Sequence, residues 1–125
     1  MFNFFNKKEY KNSGDRAEEL ACQYLLAQGL TLLDRNYLCK GGEIDLIMRD
    51  DNYLVFIEVK FRKNSQYGNP AEHVTNSKQR RIIHTARDYL QKHSKLAKLP
   101  VRFDVIAIQH QDDINWIKSA FDSSD

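Results

Sequence analysis

Asp45, Glu58 and Lys60 are charged residues inside two runs, Gly42-Glu43-Ile44-Asp45-Leu46-Ile47 and Val55-Phe56-Ile57-Glu58-Val59-Lys60, whose other members are mostly aliphatic or aromatic. Such runs read as buried strands, and an ionised carboxylate is seldom buried without a partner because desolvating it is costly. Three such charges in neighbouring strands suggest that they hold something, and a divalent cation is the first candidate. Two converging carboxylates offer hard oxygen donors suited to Mg²⁺ or Mn²⁺. A lysine beside them can orient or deprotonate water, or neutralise charge developing on a phosphate. Together these groups describe phosphodiester hydrolysis. The competing account is an exposed, salt-bridged strand face; it is weakened by Leu54 and Phe56, which share a face with Glu58 and Lys60.

For these side chains to meet, two strands must pair. Tyr53 to Arg62 alternates, with Leu54, Phe56, Glu58, Lys60 and Arg62 on one side, so Glu58 and Lys60 stand about 6–7 Å apart along one face. Glu43 to Arg49 precedes it across an Asp50-Asp51-Asn52 turn, and pairing of the two strands brings Asp45 towards Glu58. A helix is predicted from about Asp15 to Gln28, stopped at Gly29, and a further strand from Leu30 to Tyr37. After a loop containing Tyr67-Gly68-Asn69-Pro70, a second helix runs from about Ser77 to His93 with Asn76 as its cap. Strands at Val101 to Gln109 and, on an edge, Asn115 to Ala120 complete the order. This αβββαβ order predicts an α/β fold, a mixed sheet of four to five strands flanked by helices. Residues 1–12 are expected to be a flexible N-terminal segment, 13–121 a single domain and 122–125 a tail.

Glu18 lies at the margin of the Ala21/Leu25 face of the first helix and could reach a site at the sheet, whereas Glu19 points away from it. Asp15-Arg16-Ala17-Glu18 also has capping-box spacing, a purely structural role. Asp104, in Val101-Arg102-Phe103-Asp104-Val105, is a further ligand candidate, with pairing to Arg102 or a helix base the favoured alternative.

Net charge is only +2 over 125 residues, but its distribution is uneven. Phe61 to Leu99 holds nine Lys or Arg against two acids, whereas Pro100 to Asp125 holds two against five. A basic third of a chain fits a polyanion-binding face, with a solvated helix surface as the bland alternative. Arg62, Lys78, Arg80, Arg81 and Arg87 are the phosphate-contact candidates. Tyr89 fits core packing better than base stacking. The two cysteines form no CxxC pair, Cys22 falling on a helix and Cys39 in a loop, and the four histidines show no zinc spacing. No apolar run is long enough to span a membrane and no signal peptide is evident, so a cytoplasmic location is expected.

The two strand runs, together with Val59-Lys60-Phe61-Arg62 and Arg102-Phe103-Asp104-Val105-Ile106, resemble the YraN-like bacterial proteins, a family of uncharacterised function. Gly14-Asp15-Arg16-Ala17-Glu18 and Asp34-Arg35-Asn36-Tyr37 fit the same pattern, so the resemblance spans roughly residues 13–108. That family is similar to the restriction-endonuclease-like PD-(D/E)xK nucleases, including archaeal Holliday junction resolvases. The resemblance implies a restriction-endonuclease-like sheet, Asp45 and Glu58 as ligands of Mg²⁺ (or Mn²⁺), Lys60 as the catalytic lysine and Glu18 completing the acidic cluster. Ile44 stands where the motif name has proline. The activity implied is DNA cleavage, with DNA favoured over RNA and branched or repair intermediates as substrates, and a homodimer by analogy. The alternative from another class is a non-catalytic nucleic-acid-binding module that acts through partners.

Overall fold

The computed structural model of the chain describes residues 13–61, 74–110 and 113–123. Segment 1–12, Arg62 and the Tyr67-Gly68-Asn69-Pro70 loop lie outside the described residues.

Helix α1 (Ser13–Ala27) turns Ala17, Ala21 and Leu25 inward at successive i, i+4 positions. Its end is fixed by Gly29, whose φ of 101° lets the Leu30 N–H reach back to the Leu25 carbonyl and its own N–H to Leu26. Three antiparallel strands follow as a meander: β1 (Thr31–Cys39), β2 (Gly42–Asp50) and β3 (Tyr53–Phe61). Helix α2 (Asn76–Lys92) then crosses over to β4 (Val101–His110), which lies parallel to β3, and β5 (Asp113–Phe121) closes the sheet as an antiparallel edge. The sheet order β1-β2-β3-β4-β5 is the chain order. A mixed sheet with one helix on each face is the expected α/β, restriction-endonuclease-like arrangement. Among the described residues no helix is long and apolar enough to cross a membrane.

Each face carries its own core. Leu46, Met48, Val55, Ile57, Ile106 and Ile108 pack against α1, while Ile47, Leu54, Phe56, Phe103 and Val105 pack with Ile82, Ala86 and Tyr89 of α2. Tyr89 is thus a core residue, edge-on to Tyr37 with ring centroids 5.0 Å apart.

Several local expectations are corrected. Helix α1 already includes Ser13 and Gly14, which puts Asp15 inside the first turn rather than at the cap, so the Asp15/Glu18 capping box does not form. Thr75, not Asn76, caps α2: its extended backbone leaves the helix and its Oγ1 accepts the Lys78 N–H at 3.1 Å. Cys39 is the last residue of β1 rather than loop, and the β2–β3 turn shortens to Asp51-Asn52, with Asp51 at φ 55°. Glu19, expected to point away from the sheet, is instead buried against it, its Oε1 2.9 Å from Arg35 Nη1 of β1.

Asp104 is completely buried and serves as a structural node. Its carboxylate accepts from Arg102 Nε (3.0 Å), Trp116 Nε1 (2.9 Å) and the Ser119 backbone N–H (3.0 Å), while Arg102 Nη2 also reaches Asp50 at 2.9 Å. The β4–β5 register slips at this point, and the carboxylate receives the donors that the irregular ladder leaves over.

The β1–β2 hairpin rests on α2 through Gly42. A Cβ there would come within 2.6 Å of Thr85 Oγ1 and 3.1 Å of the Arg81 carbonyl, and Thr85 is itself fully buried. Gly42→Ala is therefore expected to destabilise the fold by about 1–3 kcal/mol. A lower urea midpoint with an unchanged m value would register this.

Candidate functional site

The β2–β3 ladder pairs Asp50 with Tyr53 and runs as far as Leu46 opposite Ile57. Beyond it the strands separate, and the Val59 N–H donates to Asp45 Oδ2 at 2.8 Å instead of to a strand carbonyl. Strand β2 rotates here: Ile44 joins the α2-side core and Leu46 the α1-side core, although simple alternation would put both on one face. Asp45 sits between them, at the point where the strand changes faces. Its opposite number in β1 falls between Arg35 and Tyr37, at Asn36, whose φ of 52° marks a local kink.

This break lets groups from both sides of the sheet meet. Glu18, on α1, lies within hydrogen-bonding reach of Asp45 and Asn36. Glu58, on β3, is buried beside Asp45 and meets Lys78 Nζ of α2 at 3.2 Å through Oε2. Lys60 stands one alternation further along β3, half-buried, opposite Ala107 of β4. The structure thus brings together Glu18, Asp45 and Glu58, with Lys60 next along the strand.

The electrostatics follow from crowding like charges away from water. Burial, followed by the Glu58 charge, pushes the Asp45 carboxyl up to about 8, with the Val59 N–H pulling the other way and Glu18 and Glu43 adding to the rise. Burial likewise raises the Glu18 carboxyl, reinforced by the charges of Asp15 and Glu43 and opposed by its hydrogen bond to Asp45. Glu43 is exposed at the start of β2 and contributes field rather than contact.

Among the described residues no three His, Cys, Asp or Glu side chains close into a ready-made metal cage. The donor set nevertheless suits Mg²⁺, which typically takes one or two carboxylates and completes its shell with water and substrate phosphate. Two buried acids whose mutual repulsion raises Asp45 are the charge arrangement that a hard cation relieves.

The basic residues of α2 do not form one face. Lys78 and Arg81 line a cleft of about 430 Å³ with Leu38, Gly41, Gly42 and the acidic Glu43 of the β1–β2 hairpin. Arg80 and Arg87 border a separate depression of about 370 Å³ that ends at Asp122. What sequence reading missed is the position of Lys78: taken only as a phosphate contact, it reaches into the acidic cluster. Its place in the first turn of α2 was legible, but its distance from Glu58 depends on how the crossover docks. Arg62 lies outside the described residues.

Against known proteins, a family model described as "Uncharacterised protein family UPF0102" matches residues 17–108. A UPF0102 protein of Saccharophagus degradans is 53% identical over 113 residues, covering 90% of this chain and 95% of the relative. The corresponding protein of Pseudomonas fluorescens is 45% identical over 117 residues, covering 93% and 98%. That of Vibrio parahaemolyticus is 50% identical over 117 residues, covering 93% and 94%.

Proposed function

The chain belongs to the uncharacterised protein family UPF0102, and from that footing we propose that it is a metal-dependent endonuclease of the cytoplasm that hydrolyses phosphodiester bonds in DNA. One observation carries the proposal: Asp45 and Glu58 lie buried side by side where β2 and β3 part, with Glu18 close to Asp45 and Lys60 next along β3.

Asp45 and Glu58 would hold Mg²⁺ or Mn²⁺, which when bound supplies Lewis-acid polarisation of the phosphate and activation of water. The chain's own residues do the rest. The Val59 N–H fixes the Asp45 carboxylate so that it need not reorganise during the reaction. Glu18 supports Asp45 from the α1 side and adds to the rise of its carboxyl that burial and Glu58 chiefly cause. Lys60 would hold the attacking water by its oxygen and offset the charge that grows on the phosphate. Attack of water at phosphorus, with loss of its proton to solvent, breaks the bond to the leaving sugar oxygen, which takes up a proton from solvent in turn. Lys78 and Arg81 offer positive charge to the strand in the hairpin cleft, with DNA ahead of RNA as the polymer and branched or repair intermediates as its form.

Incubation of the purified protein with Mg²⁺ or Mn²⁺ and single-stranded, duplex and branched DNA, with RNA in parallel, tests this. Cleavage that Asp45→Ala and Lys60→Ala each abolish is expected. Cleavage indifferent to both substitutions, or no turnover of any polymer with either metal, would remove the assignment.

A further inference from the structure

Lys78 occupies an unusual position for a substrate-binding lysine. Its Nζ stands 3.2 Å from Glu58 Oε2, on a carboxylate that is only 8% exposed, while its own side chain remains 36% exposed. Its backbone is fixed, because the Thr75 cap holds the Lys78 N–H in the first turn of α2. The long stem is not fixed in the same way, since one side of it borders the open cleft shared with Arg81 and Gly42. The ammonium therefore touches two compartments, the acidic cluster and the cleft.

An ammonium and a divalent cation cannot both sit against Glu58 without strong repulsion, because like charges a few ångströms apart at a partly buried site interact far more strongly than in bulk water. A cation on Glu58 therefore disfavours the Lys78 contact and favours its withdrawal. The space open to it is the cleft, whose other charged lining residues are Arg81, one helical turn further on, and Glu43. We propose that Lys78 is the resident counter-ion of Glu58, and that a loading divalent cation displaces it into the cleft, where with Arg81 it takes a phosphate of the substrate strand. Lys78 is then a positioning residue that makes nucleic-acid capture depend on metal occupancy. This rests on the metal-dependent reading above and adds the order of events to it.

Mn²⁺ titration of the metal-free protein, without nucleic acid, separates the possibilities. Lys78→Met removes the charge and keeps an apolar stem, with Lys78→Gln as a second form of the same test. Arg80→Met removes an equal charge from the neighbouring depression without touching Glu58, and Lys78→Arg restores the charge. Lys78→Met is expected to bind Mn²⁺ roughly 5–10-fold more tightly than the wild type, whereas Lys78→Arg and Arg80→Met stay close to it. With Ca²⁺ present, Lys78→Met should bind a short DNA oligonucleotide roughly 10-fold more weakly, with the salt slope shallower by about one. Unchanged or weaker Mn²⁺ binding in Lys78→Met and Lys78→Gln would overturn the proposal, as would an equal gain in Arg80→Met, which would reduce the effect to overall charge. In either case wild-type Mn²⁺ binding leaves the nuclease assignment standing. A wild type that binds no Mn²⁺ removes both.

Discussion

Asp104→Ala is expected to lower stability by about 3–5 kcal/mol, the usual consequence of removing one partner from a buried ion pair. The loss is concentrated because one carboxylate serves four donor groups. Without it, the Trp116 indole N–H and the Ser119 N–H lose their acceptor, and Arg102, only 12% exposed along its side chain, keeps Asp50 alone. Each stranded donor adds its own desolvation cost. Asp104→Asn keeps the shape but loses the charge, and should fall about midway. In thermal melts the alanine variant should unfold roughly 10–20 °C below the wild type. A shift of only a degree or two would mean that β4 and β5 pair adequately without the node.

The second large effect has the opposite sign. Asp45→Asn should stabilise the metal-free protein while removing any stabilisation by Mg²⁺ or Mn²⁺. Asparagine retains an oxygen for the Val59 N–H and discards the charge that burial and Glu58 both oppose. Because the folded-state value of Asp45 is raised from 3.8 to about 8, the folded protein holds a proton there that the unfolded chain has released. Stability from this group is therefore full below about pH 4 and falls as pH rises towards 8. The advantage of Asp45→Asn should widen over the same interval, reaching the order of a few kcal/mol, or roughly 5–10 °C, near pH 8 in chelator. Cation binding to the folded wild type should flatten its pH dependence, and the asparagine variant should not respond. A variant less stable than the wild type at pH 8 without metal would show that Asp45 is a structural anchor first.

Much of this was legible in the sequence, and the reasons are local. Alternation along Tyr53–Phe61 separated Glu58 and Lys60 from Val55 and Ile57, and the structure keeps that division. A short turn around Asp50-Asp51-Asn52, one residue tighter in the structure, set β2 against β3, so Asp45 and Glu58 had to approach each other. Helical periodicity allowed Glu18 to reach the sheet, while its capping-box spacing was an equally good local reading. The change of faces at Asp45 was not legible, because Ile44 and Leu46 are both aliphatic and would suit either core. The Lys78 contact depends on the docking of a helix that follows a long connection, and no local pattern reports such a distance. The cap of α2 was misplaced by one residue because Thr75 and Asn76 are both good caps and only the backbone angle separates them.

The agreement between sheet order and chain order bears on how the protein is built as well as on how it works. Helix α1 and the β1–β3 meander are joined by short turns, and they already contain Glu18, Asp45, Glu58 and Lys60. Their contacts close small loops and form readily, whereas the parallel β3–β4 pairing must wait for the whole α2 crossover. The acidic cluster thus belongs to the part of the chain with the fastest route to structure. Lys78 arrives with the slower part. On loop-closure grounds the carboxylates are therefore expected to meet before their counter-ion docks.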